Sequence, residues 1–145
     1  MIYYLDINDN SFLSIKCRRK RIEIRVTTDK KRIDYGCINE SDEIIFSNTF
    51  CEKMKCLVTD VNWYKDIEEL LVKEGTRYTL SGTDDFKKGV KEVKSIKNYE
   101  QGIIINGVYA IHLKLIEWGY IQKTYKAMEQ KFIALYVFII LIRFL

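Results

Sequence analysis

The spacing of apolar positions divides the chain into short segments of two kinds. Alternating apolar and polar residues mark strands at Tyr3–Ile7, Arg21–Thr27, Glu43–Ser47 and Met54–Asn62, the last two joined by a turn around Ser47–Glu52. Gly102–Ile116 reads as a long closing strand with Tyr109, Ile111, Leu113 and Leu115 facing one way. Helical spacing marks the remainder. Asp9 or Asn10 is placed to cap a helix in which Phe12, Leu13 and Ile15 face inward, ending near Cys17–Arg19. Asp66 caps a second helix to Glu74, with Ile67, Leu70 and Leu71 on its apolar side and Gly75 as its stop. Thr83 or Asp84 caps a third over Asp85–Lys97, with Phe86, Val90 and Val93 as its stripe. The polar stretch Asp29–Glu40 reads as a loop.

This order predicts an α+β fold. Connections between the central strands are too short for crossovers, so antiparallel pairing dominates, and long strands without proline favour a small closed or half-closed barrel. The pattern places one domain over residues 1–118, a length that buries a core without staples. Residues 119–145 form a separate apolar tail that reads as helical. Phe132–Ile142 is eleven apolar residues without a break. A helix over Phe132–Leu145 would span about 21 Å against a hydrocarbon core of about 30 Å. Self-association, docking on the barrel and membrane contact through 132–145 are all open from sequence.

Composition and charge change the picture at one place. The net charge is only +4, yet Lys16–Arg32 carries nine cations against two anions. That segment produces a local positive potential suited to phosphates. It is not a featureless run, because Ile22, Ile24 and Val26 alternate with Arg21, Glu23 and Arg25. Glu23 and Arg25 therefore emerge on one face of a half-buried strand, about 7 Å apart along it.

The four cysteines, Cys17, Cys37, Cys51 and Cys56, show no paired metal-ligand spacing, and there is one histidine, His112, expected on a strand surface. No metal or cofactor is expected. The first residues lack a basic and apolar leader, which points to a cytoplasmic location and reduced thiols that pack as small hydrophobes. There is no Gly-rich phosphate loop and no Gly-x-Ser-x-Gly elbow.

The stretch Arg18-Arg19-Lys20-Arg21-Ile22-Glu23-Ile24-Arg25 resembles the ASCH-domain signature Gly-x-Lys-x-x-Glu-x-Arg, with Lys20, Glu23 and Arg25 in register. Four further stretches are similar to ASCH segments in the same order. These are Asp29–Arg32 after the strand, Ser41–Asn48 resembling Gly-Asp-x-Ile-x-Phe, Tyr64–Leu71 entering a helix, and Gly107–Ile111 in the last strand. Arg18 and Ser41 stand where that family has glycine. The resemblance implies a PUA-like mixed or antiparallel β-barrel with short flanking helices, and RNA or a nucleotide as ligand.

On that reading the ligand lies in a basic cleft built from Lys16, Arg18, Lys20, Glu23, Arg25, Lys30, Lys31 and Arg32. Lys20 and Arg25 meet a phosphate or base edge, Glu23 orients them or accepts from a base amine, and Tyr64 or Trp63 offers a stacking face. Some small ASCH proteins look like amidohydrolases that deacylate modified cytidine with a Lys, a Thr two residues before the Arg, and a later Glu. Here Lys20 is kept but Glu23 occupies the threonine position; Thr27, Thr28 and Glu74 are the nearest substitutes. If the chain is an enzyme, its catalytic pair is Lys20 and Glu23, in such a hydrolase or in a metal-independent ribonuclease. A protein-interaction module docking through the tail is the remaining class.

Overall fold

A computed structural model describes residues 1–118, the last two by their backbone alone. The apolar tail of the sequence reading lies outside the described residues. The described residues form five strands and four helices. They run β1 (Ile2–Asp6), α1 (Asp9–Lys16), β2 (Ile22–Arg25), β3 (Glu43–Ser47), β4 (Lys53–Tyr64), α2 (Ile67–Glu74), α3 (Phe86–Ser95), α4 (Tyr99–Asn106) and β5 (Val108–Trp118). A single 3₁₀ turn, Tyr35–Cys37, interrupts the loop between β2 and β3.

The strands form one mixed sheet in the order β1-β3-β4-β5-β2. Only β1 and β3 are parallel, since α1 and β2 lie between them in sequence; every other pair is antiparallel. The sheet curls into a half-barrel, leaving β1 and β2 as its edges. Register shifts in the β4–β5 ladder at Lys55/Cys56 and Val58/Asp60 help that curl, because an extra residue on one strand sharpens its twist.

Two apolar clusters follow from the curl. Inside the half-barrel, Leu5, Phe12, Ile15, Tyr35, Ile44, Phe46, Met54, Cys56, Val58, Ile111 and Leu113 pack together. On the outer face, Ile22, Ile24, Val26, Val108 and Ala110 of the sheet meet Ile67, Leu70, Leu71, Val93 and Ile103 of α2, α3 and α4. The β5 alternation is thus used twice, with Ile111 and Leu113 turned inward and Val108 and Ala110 outward against the helices.

Several boundaries differ from the sequence reading, each for a local reason. Asn8 caps α1, its side chain accepting from the Ser11 amide at 2.8 Å. In that helix Ser11 and Ser14 are buried with Phe12 and Ile15, while Leu13 points to solvent. Asp85 caps α3, accepting from Lys88 N, and buries Gly89 and Val93 rather than Phe86. The stretch expected as one closing strand splits in two: Tyr99–Asn106 is helical and the strand begins at Val108. Gly107, at φ 72°, makes the break, and a Cβ there would overlap the Trp63 indole. Of the cysteines, only Cys56 is buried; Cys17, Cys37 and Cys51 are exposed.

Candidate functional site

The strand β2 was expected to be half-buried; all four of its residues are buried. Ile22 and Ile24 go to the outer helices as the alternation requires, but the opposite face meets the inside of the half-barrel instead of water. Glu23 and Arg25 therefore enter an apolar interior and must find partners there.

They find them with Lys20, which the turn after α1 delivers to the same place. Lys20 Nζ lies 3.2 Å from Glu23 Oε2, and Arg25 Nε lies 3.1 Å from Glu23 Oε1. The exposures of Lys20, Glu23 and Arg25 are 5%, 5% and 8%. Lys20 also donates to the Thr79 carbonyl at 2.7 Å, and Arg25 Nη2 donates to the Asp6 carbonyl at 2.9 Å. The guanidinium stands over the Phe46 ring at 5.7 Å. Burial alone would lower the Arg25 pKa, but the Glu23 charge, followed by Tyr99 and Tyr35, outweighs it and holds it above its ordinary value. Two contacts within the triad are charge pairs without hydrogen-bond alignment, so Glu23 Oε2 and Arg25 Nε have no hydrogen-bond partner.

The triad forms part of the wall of a cavity of about 680 Å³. The N-terminal end of α1 contributes Asn8, Asn10 and Ser11, and the segment before α3 contributes Thr79, Ser81 and Gly82. Helix α3 supplies Glu92 and Val93, its C-cap supplies Ile96, and Lys31 and Tyr99 close the remaining sides. Ser11 Oγ and Ser81 Oγ share a hydrogen bond of 2.8 Å. Tyr99 is the aromatic side chain of this cavity. Burial first, then the Glu23 charge, pushes its hydroxyl up to about 12, against the opposing effects of Arg25 and a hydrogen bond from the Val26 backbone.

Of the residues expected in a basic cleft, Lys20, Glu23, Arg25 and Lys31 line this cavity. Lys16 is half-buried at the end of α1, and Arg18, Lys30 and Arg32 are exposed outside the lining. Tyr64 stands elsewhere, on the outer side of the sheet, with its hydroxyl donating to Glu74 Oε1 at 2.7 Å. Trp63 is 55% exposed, and its indole donates to the Asn106 carbonyl. Neither Tyr64 nor Trp63 lines the cavity; Tyr99 does, at the start of a helix whose apolar run reads as strand.

The groups considered for acyl hydrolysis are also elsewhere. Thr27 Oγ1 donates to the Ile33 carbonyl, Thr28 Oγ1 accepts from Lys31 N, and neither lines the cavity. Glu74 belongs to a second polar cluster with Tyr64, Asn62 and His112, where His112 Nε2 lies 3.0 Å from Glu74 Oε2. That contact makes His112 half-buried and partnered, where a plain surface position was expected.

No protein-family model matches the chain, and no curated protein does so. Solved structures do. The fold is similar to that of hypothetical protein PH0355, with a TM-score of 0.68 and 28% identity over 80% of this chain and 100% of the other. It is also similar to protein PF0455 from Pyrococcus furiosus, with a TM-score of 0.61 and 25% identity over 81% of this chain and 100% of the other. Neither name states an activity. Among the described residues, no helix is long and apolar enough to cross a membrane, and no group of three or more His, Cys, Asp and Glu side chains is placed to hold a metal ion.

Proposed function

We propose that this chain is an ASCH-like module of PUA-like fold that binds a nucleotide of RNA in the cavity beside Lys20. The observation that carries the reading is the convergence of Lys20, Glu23 and Arg25 in the wall of a 680 Å³ hollow. That volume falls in the range of about 300–1,000 Å³ typical of small-ligand sites. A triad of two cations and one carboxylate in a poorly hydrated wall carries excess positive charge, and it is costly to bury unless it has a task.

The buried triad meets the base edge. Glu23 accepts from a base N–H, while Lys20 and Arg25 donate to base carbonyl or imine atoms. Lys31, 62% exposed at the mouth, meets the phosphate. Tyr99 supplies the apolar flank against which a base ring packs. Support for the ASCH resemblance comes from the backbone: both positions where that family has glycine, Arg18 and Ser41, have left-handed φ angles of 62° and 72°.

Titration with nucleoside 5′-monophosphates near 50 mM salt tests the reading. Saturable binding that weakens with added salt is expected. Lys31→Ala should weaken it several-fold while leaving the unfolding transition in place, because that side chain is on the surface. Absence of binding by all four monophosphates at low ionic strength overturns the proposal.

A further inference from the structure

Among the described residues, the outer face of the sheet is covered over only part of its extent. Helices α2, α3 and α4 meet it at β2 and at the paired ends of β4 and β5, and no residue of β1 or β3 belongs to that cluster. On the remaining part, Ile2, Glu43, Leu57 and Lys114 form one row across four strands, and Tyr4, Ile45 and Lys55 form the next. Ile116 ends this face on β5. Ile2, Tyr4 and Ile116 are exposed, while Ile45 and Leu57 are half-buried. Two opposite charges within the face neutralise each other, with Lys55 Nζ 2.7 Å from Glu43 Oε2. A sheet wetted on one side keeps polar residues on that side. Here the alternation breaks into apolar runs at Ile2-Tyr3-Tyr4-Leu5, Ile44-Ile45-Phe46, Cys56-Leu57-Val58 and Leu115-Ile116, the pattern of strands covered on both sides.

The chain carries a segment of matching size. Residues 119–145 continue directly from β5, whose last pairs put Glu117 opposite Lys55 and Trp118 opposite Met54, at the Tyr4–Ile45 end of the face. Residues 119–131 then separate β5 from the apolar run 132–142, enough chain to reach about 40 Å. In helical form that run measures about 16 Å by about 10 Å. The open face is about 14 Å across its strand spacings and about 17 Å along five residues. A run of this length is too short to span a bilayer and suits a helix buried within a protein. A face of about 240 Å² is also far below the roughly 800 Å² that each partner gives to a stable complex, which argues against a second copy. A tethered segment needs less area, because its docking is intramolecular. We infer that residues 132–142 pack as a helix across β1, β3, β4 and β5 and complete the outer layer of their own molecule. None of the five apolar residues of this face lines the cavity, so the inference is independent of the nucleotide-binding reading.

The test places a thiol on the face and measures its access in the full chain. Tyr4 is 70% exposed, so Tyr4→Cys adds a thiol that a maleimide reaches freely unless another segment covers it. Labelling at each cysteine is followed by peptide mass spectrometry. The introduced thiol should react at least about tenfold more slowly than the exposed Cys17 and Cys51, because reaction then waits for the segment to lift. That protection should not change with protein concentration or with vesicles of phosphatidylcholine and phosphatidylglycerol. Adding Leu57→Lys sets a third cation beside Lys55 and Lys114, which should release the segment and restore labelling to the Cys51 rate. Cys56 is enclosed and serves as the control for folding. If it becomes reactive with Leu57→Lys, the half-buried Ile45→Lys takes that variant's place. Labelling of the introduced thiol as fast as Cys51 in the parent chain overturns the inference. Protection that survives the lysine substitution while Cys56 stays silent does so too. Protection lost on dilution assigns the face to a second copy, and protection that needs vesicles assigns the run to a membrane; either result also overturns it.

Discussion

Arg18 and Ser41 hold backbone angles that side chains with a Cβ adopt at a cost. Arg18 follows the last turn of α1, where its amide donates to the Ile15 carbonyl, and Ser41 precedes β3, where its amide donates to the Val58 carbonyl. Glycine relieves the clash in both places. Arg18→Gly and Ser41→Gly should each stabilise the fold by about 1 kcal/mol, read as a higher urea midpoint. The triad behaves in the opposite way. Lys20 and Arg25 are sealed against Glu23, so Glu23→Gln leaves two buried cations without their counter-charge. A loss of about 3–5 kcal/mol is expected, measured by equilibrium unfolding. For the same reason, replacing Lys20 or Arg25 by Ala tests folding before it tests binding, and Lys31 is the safer probe of the site. At this scale the sequence was informative: strand alternation put Glu23 and Arg25 on one face, and the resemblance to the ASCH signature set Lys20 beside them. What it could not give was the burial. Alternation records that two faces differ, and a polar face turned into a barrel looks the same as one turned to water.

Among the elements, the helices at the ends of strands carry most of the departures from the sequence reading. Helix α4 has Ile103, Ile104 and Ile105 in a row, a composition that favours a strand locally. Tertiary packing overrides it, because Gly102 lets the helix approach β2 closely: a Cβ there would come within 2.7 Å of Val26 and 2.9 Å of the Thr27 carbonyl. By contrast α2 was legible in full, with Asp66 accepting from the Glu69 amide at 2.8 Å and Gly75 closing it. The last residue of α2, Glu74, ties that helix to β4 and β5. Burial alone would raise its pKa, but hydrogen bonds from Tyr64, His112 and Asn62 prevail and hold it below the ordinary carboxyl value. A carboxyl depressed in the folded state binds fewer protons there than in the unfolded chain. It therefore adds stability above its ordinary value and loses it as pH falls through the depressed one. Stability measured from neutral to acid pH should fall along this limb, and Glu74→Gln should make the fall shallower. An identical acid limb in the variant would remove the link from consideration.

At the scale of the whole molecule, one curled sheet separates two cores, and the cavity sits where α1, β2 and α3 converge on it. The fold class and the half-barrel were legible because short antiparallel connections and proline-free strands leave few alternatives. The cavity was not, since it depends on how α3 and α4 pack over the edge of β2, and no local pattern encodes that. Antiparallel pairing dominates the sheet as expected, and the parallel β1–β3 pair arises because α1 and β2 together form the crossover. The two structures with similar folds are matched over their whole length by about four-fifths of this chain, so the half-barrel with its helices recurs as a unit.

The position of Cys56 gives that unit an internal gauge. Its thiol is fully enclosed between β3 and β5, and burial, aided by the nearby Glu23 charge, pushes its pKa up to about 12. Cys17, Cys37 and Cys51 face solvent. A disulfide-exchange reagent should consume three thiols at once and the fourth only as fast as the strands part, since attack needs both access and a thiolate. The slow phase then times spontaneous opening of the barrel without any engineered probe. An occupant of the cavity beside Glu23 that fastens the strands together should lengthen it, whereas four thiols reacting in a single rapid phase would mean that the interior is open to water.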